Sequence, residues 1–255
     1  MLQLCIPVHN EAPTIGVLLW RIRKVFREVP RDYEIVVYDD GSTDATADTL
    51  KPYAEVLPLT VLGGPARIGY AGAVDALCRH AARNTRYARR DAMILLQGDF
   101  TDQPEDIPEL VKRFEGGADL VVVERDLGVR APDAVRRLSR LAPWVLKPFV
   151  ALPGISDPFG SFRLMRISTV RDVVKTARDE PIVRGDAWEA NLDLLMATLP
   201  HARRVETVRL APRYDLRQRE TRRHTWTDAV RLGRYAWHAR GRARAAKAIA
   251  GAGAA

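Results

Sequence analysis

The sequence predicts an α/β protein built on a doubly wound, mostly parallel sheet with flanking helices. Three observations carry this. Short apolar runs alternate with amphipathic stretches through the first hundred residues. Turn-forming glycines and prolines punctuate them. Three of the runs end on distinctive polar groups: His9-Asn10-Glu11, Asp39-Asp40 and Asp99. In such sheets the crossovers bring all carboxyl ends of the parallel strands to one edge, where ligands bind.

Leu2–Val8 is a short apolar run and predicts the first strand. Pro13 stands near the start of the amphipathic stretch Thr14–Val29, a position a helix tolerates. Tyr33–Tyr38 predicts the second strand, ending at Asp39-Asp40-Gly41-Ser42, with Asp44 able to cap the next helix. Leu59–Leu62 predicts a weak strand, and Gly69 to about Arg83 a helix. Ala92–Leu96 is a fourth strand ending at Gln97-Gly98-Asp99, Pro104–Phe114 is helical, and Asp119–Val123 is a strand again.

After Arg125 the pattern changes. Asp126–Ala131 reads as a mobile loop, Pro132–Val150 as a basic then strongly apolar helical segment, and Pro153–Phe162 as a turn-rich link. Ile167–Arg178 and Asp186–Leu199 predict helices, and Arg203–Leu210 a late strand. The arginine-rich loop Arg213–Arg223 precedes a final helix from about Trp226 and a frayed tail, Gly251–Ala255.

The formal net charge of +8 is uneven: residues 125–147 and 201–244 are arginine-rich, so anionic ligands or an anionic membrane surface should meet the second half. Composition alone also fits a nucleic-acid binder, although no nucleic-acid partner is expected. Cys5 and Cys78 show no metal or redox spacing and read as reduced core thiols. No run is apolar enough to span a bilayer, and the first residues lack the pattern of a signal peptide. A cytoplasmic location is expected, with peripheral contact at the inner membrane face left open.

A carboxylate just past a strand accepts from a base N–H or a ribose hydroxyl. Ile6-Pro7-Val8-His9-Asn10-Glu11, together with Val37-Tyr38-Asp39-Asp40-Gly41-Ser42-Thr43-Asp44, resembles the family 2 glycosyltransferases of the GT-A fold. The resemblance implies that these segments hold the nucleoside of a nucleotide-sugar donor through Pro7, His9, Glu11, Asp39 and Asp40. An Asp-Gly-Ser turn that merely caps a helix is the plainer alternative. Leu95 to Glu105 is similar to the family's Asp-x-Asp segment, which assigns Gln97 and Gly98 to the nucleotide and Asp99 to metal binding and catalysis. Two such carboxylates hold Mg²⁺ or Mn²⁺ against the leaving diphosphate. Here Gln97 replaces the first acid. The metal is therefore expected to be held weakly by Asp99 with help from Asp102, or to be dispensable with arginines balancing the charge.

Arg125, Arg136-Arg137-Leu138-Ser139-Arg140 and Asp157-Pro158-Phe159-Gly160-Ser161-Phe162-Arg163 are similar to the polyprenyl-phosphate, dolichol-phosphate-mannose-synthase-like branch, with the Ser-Gly pair inverted. This implies a polyprenyl-phosphate acceptor bound by Arg125, Arg136, Arg137 and Arg140, and a catalytic Arg163. Arg217 and Arg219 resemble a basic loop that closes over the diphosphate. Asp193 or Glu189 is a candidate general base for a hydroxyl acceptor, whereas a phosphate acceptor needs none.

The expected organisation is a GT-A-like domain over residues 1–225, divided into a nucleotide-sugar half (1–123) and a helical, basic acceptor half (124–225). A basic amphipathic helix and frayed tail follow over 226–255. The expected reaction is inverting sugar transfer. Transfer to a soluble hydroxyl-bearing metabolite and non-catalytic nucleotide-sugar binding are the alternatives.

Overall fold

Leu2–Val8 forms β1, and all seven of its residues are buried. A strand covered on both faces belongs in the middle of a parallel sheet, as its unbroken apolar run implies. The computed structural model describes residues 1–125, 136–137, 152, 154–186 and 188–211. Around β1 lie β2 (Tyr33–Asp40), β3 (Leu59–Gly64), β4 (Ala92–Leu95), β5 (Leu120–Arg125), β6 (Arg163–Arg166) and β7 (Val205–Leu210). Among the described residues they form one sheet of order β3-β2-β1-β4-β6-β5-β7. β1 runs parallel to β2 and β4, β2 to β3, and β5 to β7, while β6 is antiparallel to both its neighbours.

The helices bounded within the described residues are α1 (Ala12–Glu28), α2 (Thr46–Val56), α3 (Gly69–Arg83), α4 (Ile107–Glu115), α5 (Ile167–Ala177) and α6 (Trp188–Thr198). Side chains alternate along a strand, so each strand feeds two cores. Leu2, Leu4, Ile6 and Val8 join Ile35, Val37, Ile94 and Val121 in a cluster with Ile15, Leu18, Leu19 and Ile22 of α1 and Leu110 of α4. Cys5 and Val36 face away from that cluster, toward the side where α3 packs on β1 and β2 and α5 packs on α3. The sheet is thus doubly wound.

The chain divides into two compact units. Met1–Asp126 with Pro158–Arg219 forms the first, which holds the whole sheet. Leu127–Asp157 with Glu220–Ala255 forms the second. In it, Arg136 and Arg137 are helical, the first half-buried and the second exposed, and the N–H of Ile155 donates to the Leu152 carbonyl at 3.3 Å. The final helix expected from about Trp226 and most of Pro132–Val150 lie outside the described residues.

The structure departs from the sequence expectation at three places. Pro104–Asp106 is a 3₁₀ turn that leads into α4, so the stretch from Pro104 is not one α-helix. Asp44 stands one residue before the helix boundary, yet its Oδ1 still accepts the Thr46 N–H at 3.0 Å, and its Oδ2 accepts the Ala12 N–H at 3.2 Å. It serves two helix starts. β6 has no counterpart in the expected strands, because Arg163-Leu164-Met165-Arg166 carries an arginine at each end and reads as a loop.

Candidate active site

The carboxyl ends of β1, β2 and β4 bring the first three motifs to one edge of the sheet. The polypeptide after β1 is bolted to the turn after β2 through Asn10, which adopts a positive φ of 55°. Its side-chain oxygen accepts the Thr43 N–H at 2.7 Å, and its own N–H donates to the Ser42 hydroxyl at 2.9 Å. His9 Nδ1 donates to the Asp40 carbonyl at 2.8 Å, which sets the tautomer at that nitrogen. Pro7 is buried in β1 opposite Tyr38 and contributes shape rather than a donor. Glu11 is buried, and its Oε2 accepts the Thr14 hydroxyl at 2.9 Å at the start of α1.

The two aspartates of the turn are held differently. Asp39 Oδ1 accepts the Ser42 N–H at 3.0 Å, which closes the turn locally. Its carbonyl lies so near the neighbouring strand that a Cβ at Gly63 would fall 2.1 Å from it, at a φ of 109°. Asp40 is buried and reaches the next loop: Oδ1 accepts the N–H groups of Ile68 and Gly69 at 2.6 and 3.0 Å. Its Oδ2 lies 3.5 Å from Arg67 Nε. The motif therefore does cap a helix, but the helix is α3, and the capping draws in a cation that sequence reading overlooked. Arg67 is more than half exposed at the strand ends.

The loop after β4 packs against the end of β1. A Cβ at Gly98 would lie 3.0 Å from Val8 Cγ1 and 3.6 Å from Glu11 Cγ, so a small residue is needed there. Asp99 is buried and its Oδ1 accepts the Thr101 N–H at 3.0 Å, with Phe100 between them at a φ of 62°. Asp102 curls back under the loop, where Oδ2 accepts the Gln97 N–H and the Ser161 hydroxyl, both at 3.1 Å. Burial is the main influence on this carboxyl and pushes its pKa up to about 6. The charge of Asp99 raises it further, while the bonds from Gln97 and Ser161 and the charge of Arg125 pull it down.

Among the described residues there is no cluster of three or more His, Cys, Asp or Glu side chains able to cage a metal. A divalent ion bound partly through substrate phosphates needs only one or two protein carboxylates. Asp99, with the Thr101 hydroxyl, buried and without a hydrogen-bond partner among the described residues, and Asp102, near enough to feel the charge of Asp99, supply oxygen donors of the type such an ion takes.

Arg163 is fully buried, with guanidinium nitrogens bonded to the carbonyls of Asn191, at 2.9 Å, and Gly160. Asn191 also receives the Tyr70 hydroxyl at 2.8 Å and donates to the Phe159 carbonyl at 3.1 Å. Burial raises the Tyr70 phenol above its ordinary pKa, against the charge of Arg163 and with that of Asp102 and Asp99. This network ties α3 and α6 to the segment before β6. Tyr70 and Asn191 stand in ordinary helical stretches, and only their proximity reveals them.

Asp193 is buried on α6 and its Oδ2 accepts the Arg184 N–H at 3.0 Å. Glu189 receives the Asp186 N–H at 3.4 Å. Arg125 ends β5, half-buried, close enough to act on Asp102. Arg136 and Arg137 belong to the second unit, and Arg140, Arg217 and Arg219 lie outside the described residues.

The Glycosyl transferase family 2 model matches residues 3–174. The bactoprenol glucosyl transferase of Shigella phage SfV is 32% identical over 175 residues, 68% of this chain and 54% of that protein. An undecaprenyl-phosphate 4-deoxy-4-formamido-L-arabinose transferase of Pseudomonas fluorescens is 34% identical over 137 residues, 53% of this chain and 38% of that protein. The chain thus spans about half or less of the length of these curated relatives. Among solved structures, glucosyl-3-phosphoglycerate synthase from Mycobacterium tuberculosis, in complex with Mn²⁺, UDP and glucosyl-3-phosphoglycerate, matches with a TM-score of 0.61 at 19% identity. That match covers 92% of this chain and 76% of the other. S. aureus TarS in complex with UDP-GlcNAc matches with a TM-score of 0.57 at 16% identity, over 87% of this chain and 60% of that one. These likenesses show the fold, which is of the expected GT-A type.

Proposed function

Because this chain belongs to glycosyl transferase family 2, we propose that it transfers a sugar from a nucleoside-diphosphate sugar to a polyprenyl phosphate. The observation that carries the reading is the convergence of three strand ends. His9–Glu11, Asp39–Asp40 with Arg67, and Asp99–Asp102 are joined by hydrogen bonds or close packing at one edge of the sheet. The names of the bactoprenol and undecaprenyl-phosphate relatives support the lipid-phosphate acceptor.

In this reading the nucleoside lies against His9, Glu11 and Asp39, and the diphosphate runs toward Gln97-Gly98-Asp99. Arg67 supplies one positive charge beside it. Mg²⁺ or Mn²⁺ would be held by Asp99, with Asp102 and the Thr101 hydroxyl near it, and would neutralise the departing diphosphate. An oxygen of the acceptor phosphate attacks the anomeric carbon with its lone pair. The bond from that carbon to the diphosphate oxygen breaks, and its electron pair leaves with the nucleoside diphosphate. The acceptor oxygen is already anionic, so no proton moves and no base is required. Arg125 would hold the acceptor phosphate, since a guanidinium matches phosphate oxygens in pairs. Arg136, Arg137 and Arg140 remain candidates for the same role from the sequence alone. Arg163 holds the 159–163 segment in place rather than meeting substrate directly.

No helix among the described residues is long and apolar enough to cross a membrane. The names of the bactoprenol and undecaprenyl-phosphate relatives support a place for this domain at the inner membrane face, where a lipid phosphate would reach it. Incubation with nucleotide sugars, undecaprenyl phosphate and Mn²⁺ should release nucleoside diphosphate and a lipid-phosphate sugar. Release only with a soluble hydroxyl acceptor would replace the lipid reading. Donor binding without release under any acceptor would leave a binding protein.

A further inference from the structure

We propose that the first unit carries a second anion site, remote from the strand-end cleft, which binds a small ligand bearing several phosphate charges. A groove of about 760 Å³ opens where β4, β5 and β7 begin and the antiparallel β6 ends. It is thus a strand length from the cleft, roughly 13–20 Å for strands of four to six residues. Its volume falls within the ~300–1,000 Å³ range of metabolite pockets.

The groove wall has six lysine and arginine side chains against two aspartates. Both acids are already engaged. Asp119 takes Arg166 Nε at 2.7 Å on one oxygen and the N–H groups of Arg203 and Arg204 on the other. Asp172 pairs with Lys175 at 3.5 Å. Among the described residues this leaves Arg89, Arg90, Arg171 and Arg203 with no acidic partner.

The cations divide into a floor and a rim. Arg171 is half-buried and bonded to the carbonyls of Ala82 and Thr85 at 2.7 and 2.9 Å. Carbonyl dipoles fix a guanidinium without cancelling its charge. Arg89, Arg90 and Arg203 are exposed, and Arg90 lies 6.0 Å from the centre of the Tyr87 ring. Like charges gathered in a recess repel one another, and monovalent salt only screens them. A ligand with several phosphate charges removes that repulsion and meets the guanidinium geometry in pairs. The half-buried Arg171 on the floor favours a small ligand that enters the groove, since a flat bilayer reaches only the rim arginines.

The test is calorimetric titration of inorganic tripolyphosphate into the full chain, without divalent metal and at moderate salt. Wild type, the triple variant Arg89→Ala/Arg90→Ala/Arg203→Ala, and Arg67→Ala at the other cleft are compared. The proposal expects one binding step weakened by about tenfold or more in the triple variant and retained in Arg67→Ala, because its charge-assisted contacts are lost only in the former, whereas any step at the strand ends depends on Arg67. Equal affinity of every step in wild type and triple variant overturns it, as does loss of all binding in Arg67→Ala. Circular dichroism confirms folding, and the milder pair Arg89→Gln and Arg203→Gln should weaken binding in the same direction. If phosphatidylglycerol vesicles need these arginines while tripolyphosphate does not bind, a lipid headgroup is the ligand and the soluble reading falls.

Discussion

Gln97 lies half-buried in the loop where the family pattern has an acid, and its N–H holds Asp102 in place. Gln97→Asp adds a second carboxylate beside Asp99, so the Mn²⁺ concentration for half-maximal nucleoside diphosphate release should fall by about tenfold. A metal titration of both forms reads this directly, and an unchanged midpoint would place the metal elsewhere. Asp102 makes a separate prediction in metal-free buffer. Its folded pKa of about 6 lies above the ordinary aspartate value, so between about pH 4 and pH 6 the folded state binds more protons than the unfolded state. Its stability contribution is therefore intact below that window and is lost as pH rises through it. Asp102→Asn should flatten this fall in Tm. The motif itself was legible in the sequence. The raised carboxyl was not, because it depends on burial that distant parts of the chain complete, with Ser161 and Arg125 pulling the other way.

The ends of β2 and β3 meet at Gly63, where both the φ of 109° and the Asp39 carbonyl exclude a side chain. Gly63→Ala must push β3 away from Asp39, with an expected cost of about 2 kcal/mol or more and a weaker nucleotide site. Chemical denaturation and a nucleotide titration on the same variant check both effects. On the other side, Asn191 joins α6 to Tyr70 and to the Phe159 carbonyl. Asn191→Ala removes the acceptor of the Tyr70 hydroxyl and a donor to the Phe159 carbonyl, and should cost about 2–4 kcal/mol in urea unfolding. Helices and strands of clear period, such as α1 and β1, could be read from the sequence because one segment holds the whole pattern. β6 could not, since four residues with flanking arginines become a strand only when Arg163 finds the Asn191 carbonyl of α6 and Arg166 finds Asp119.

For the protein as a whole, ligand linkage gives the broadest check. A nucleoside diphosphate with Mn²⁺ that binds only the folded chain should stabilise it by about 2.7 kcal/mol at a hundredfold excess over Kd. A chelator should remove most of that gain if Asp99 holds a metal, and none of it if arginines alone balance the diphosphate. Membership of the family, the parallel sheet and the strand-end position of three motifs were all readable along the chain. Each rests on local order: apolar runs of strand length, turn residues at their ends, and polar groups just beyond. The pairings were not readable. Asp40 reaching the start of α3, Asp102 turning beneath Gln97, Arg163 disappearing among carbonyls, and a basic groove gathered from the starts of β4, β5 and β7 all join residues far apart in sequence. Such contacts depend on which elements the sheet order makes neighbours, and that order is set by the packing of two cores against seven strands.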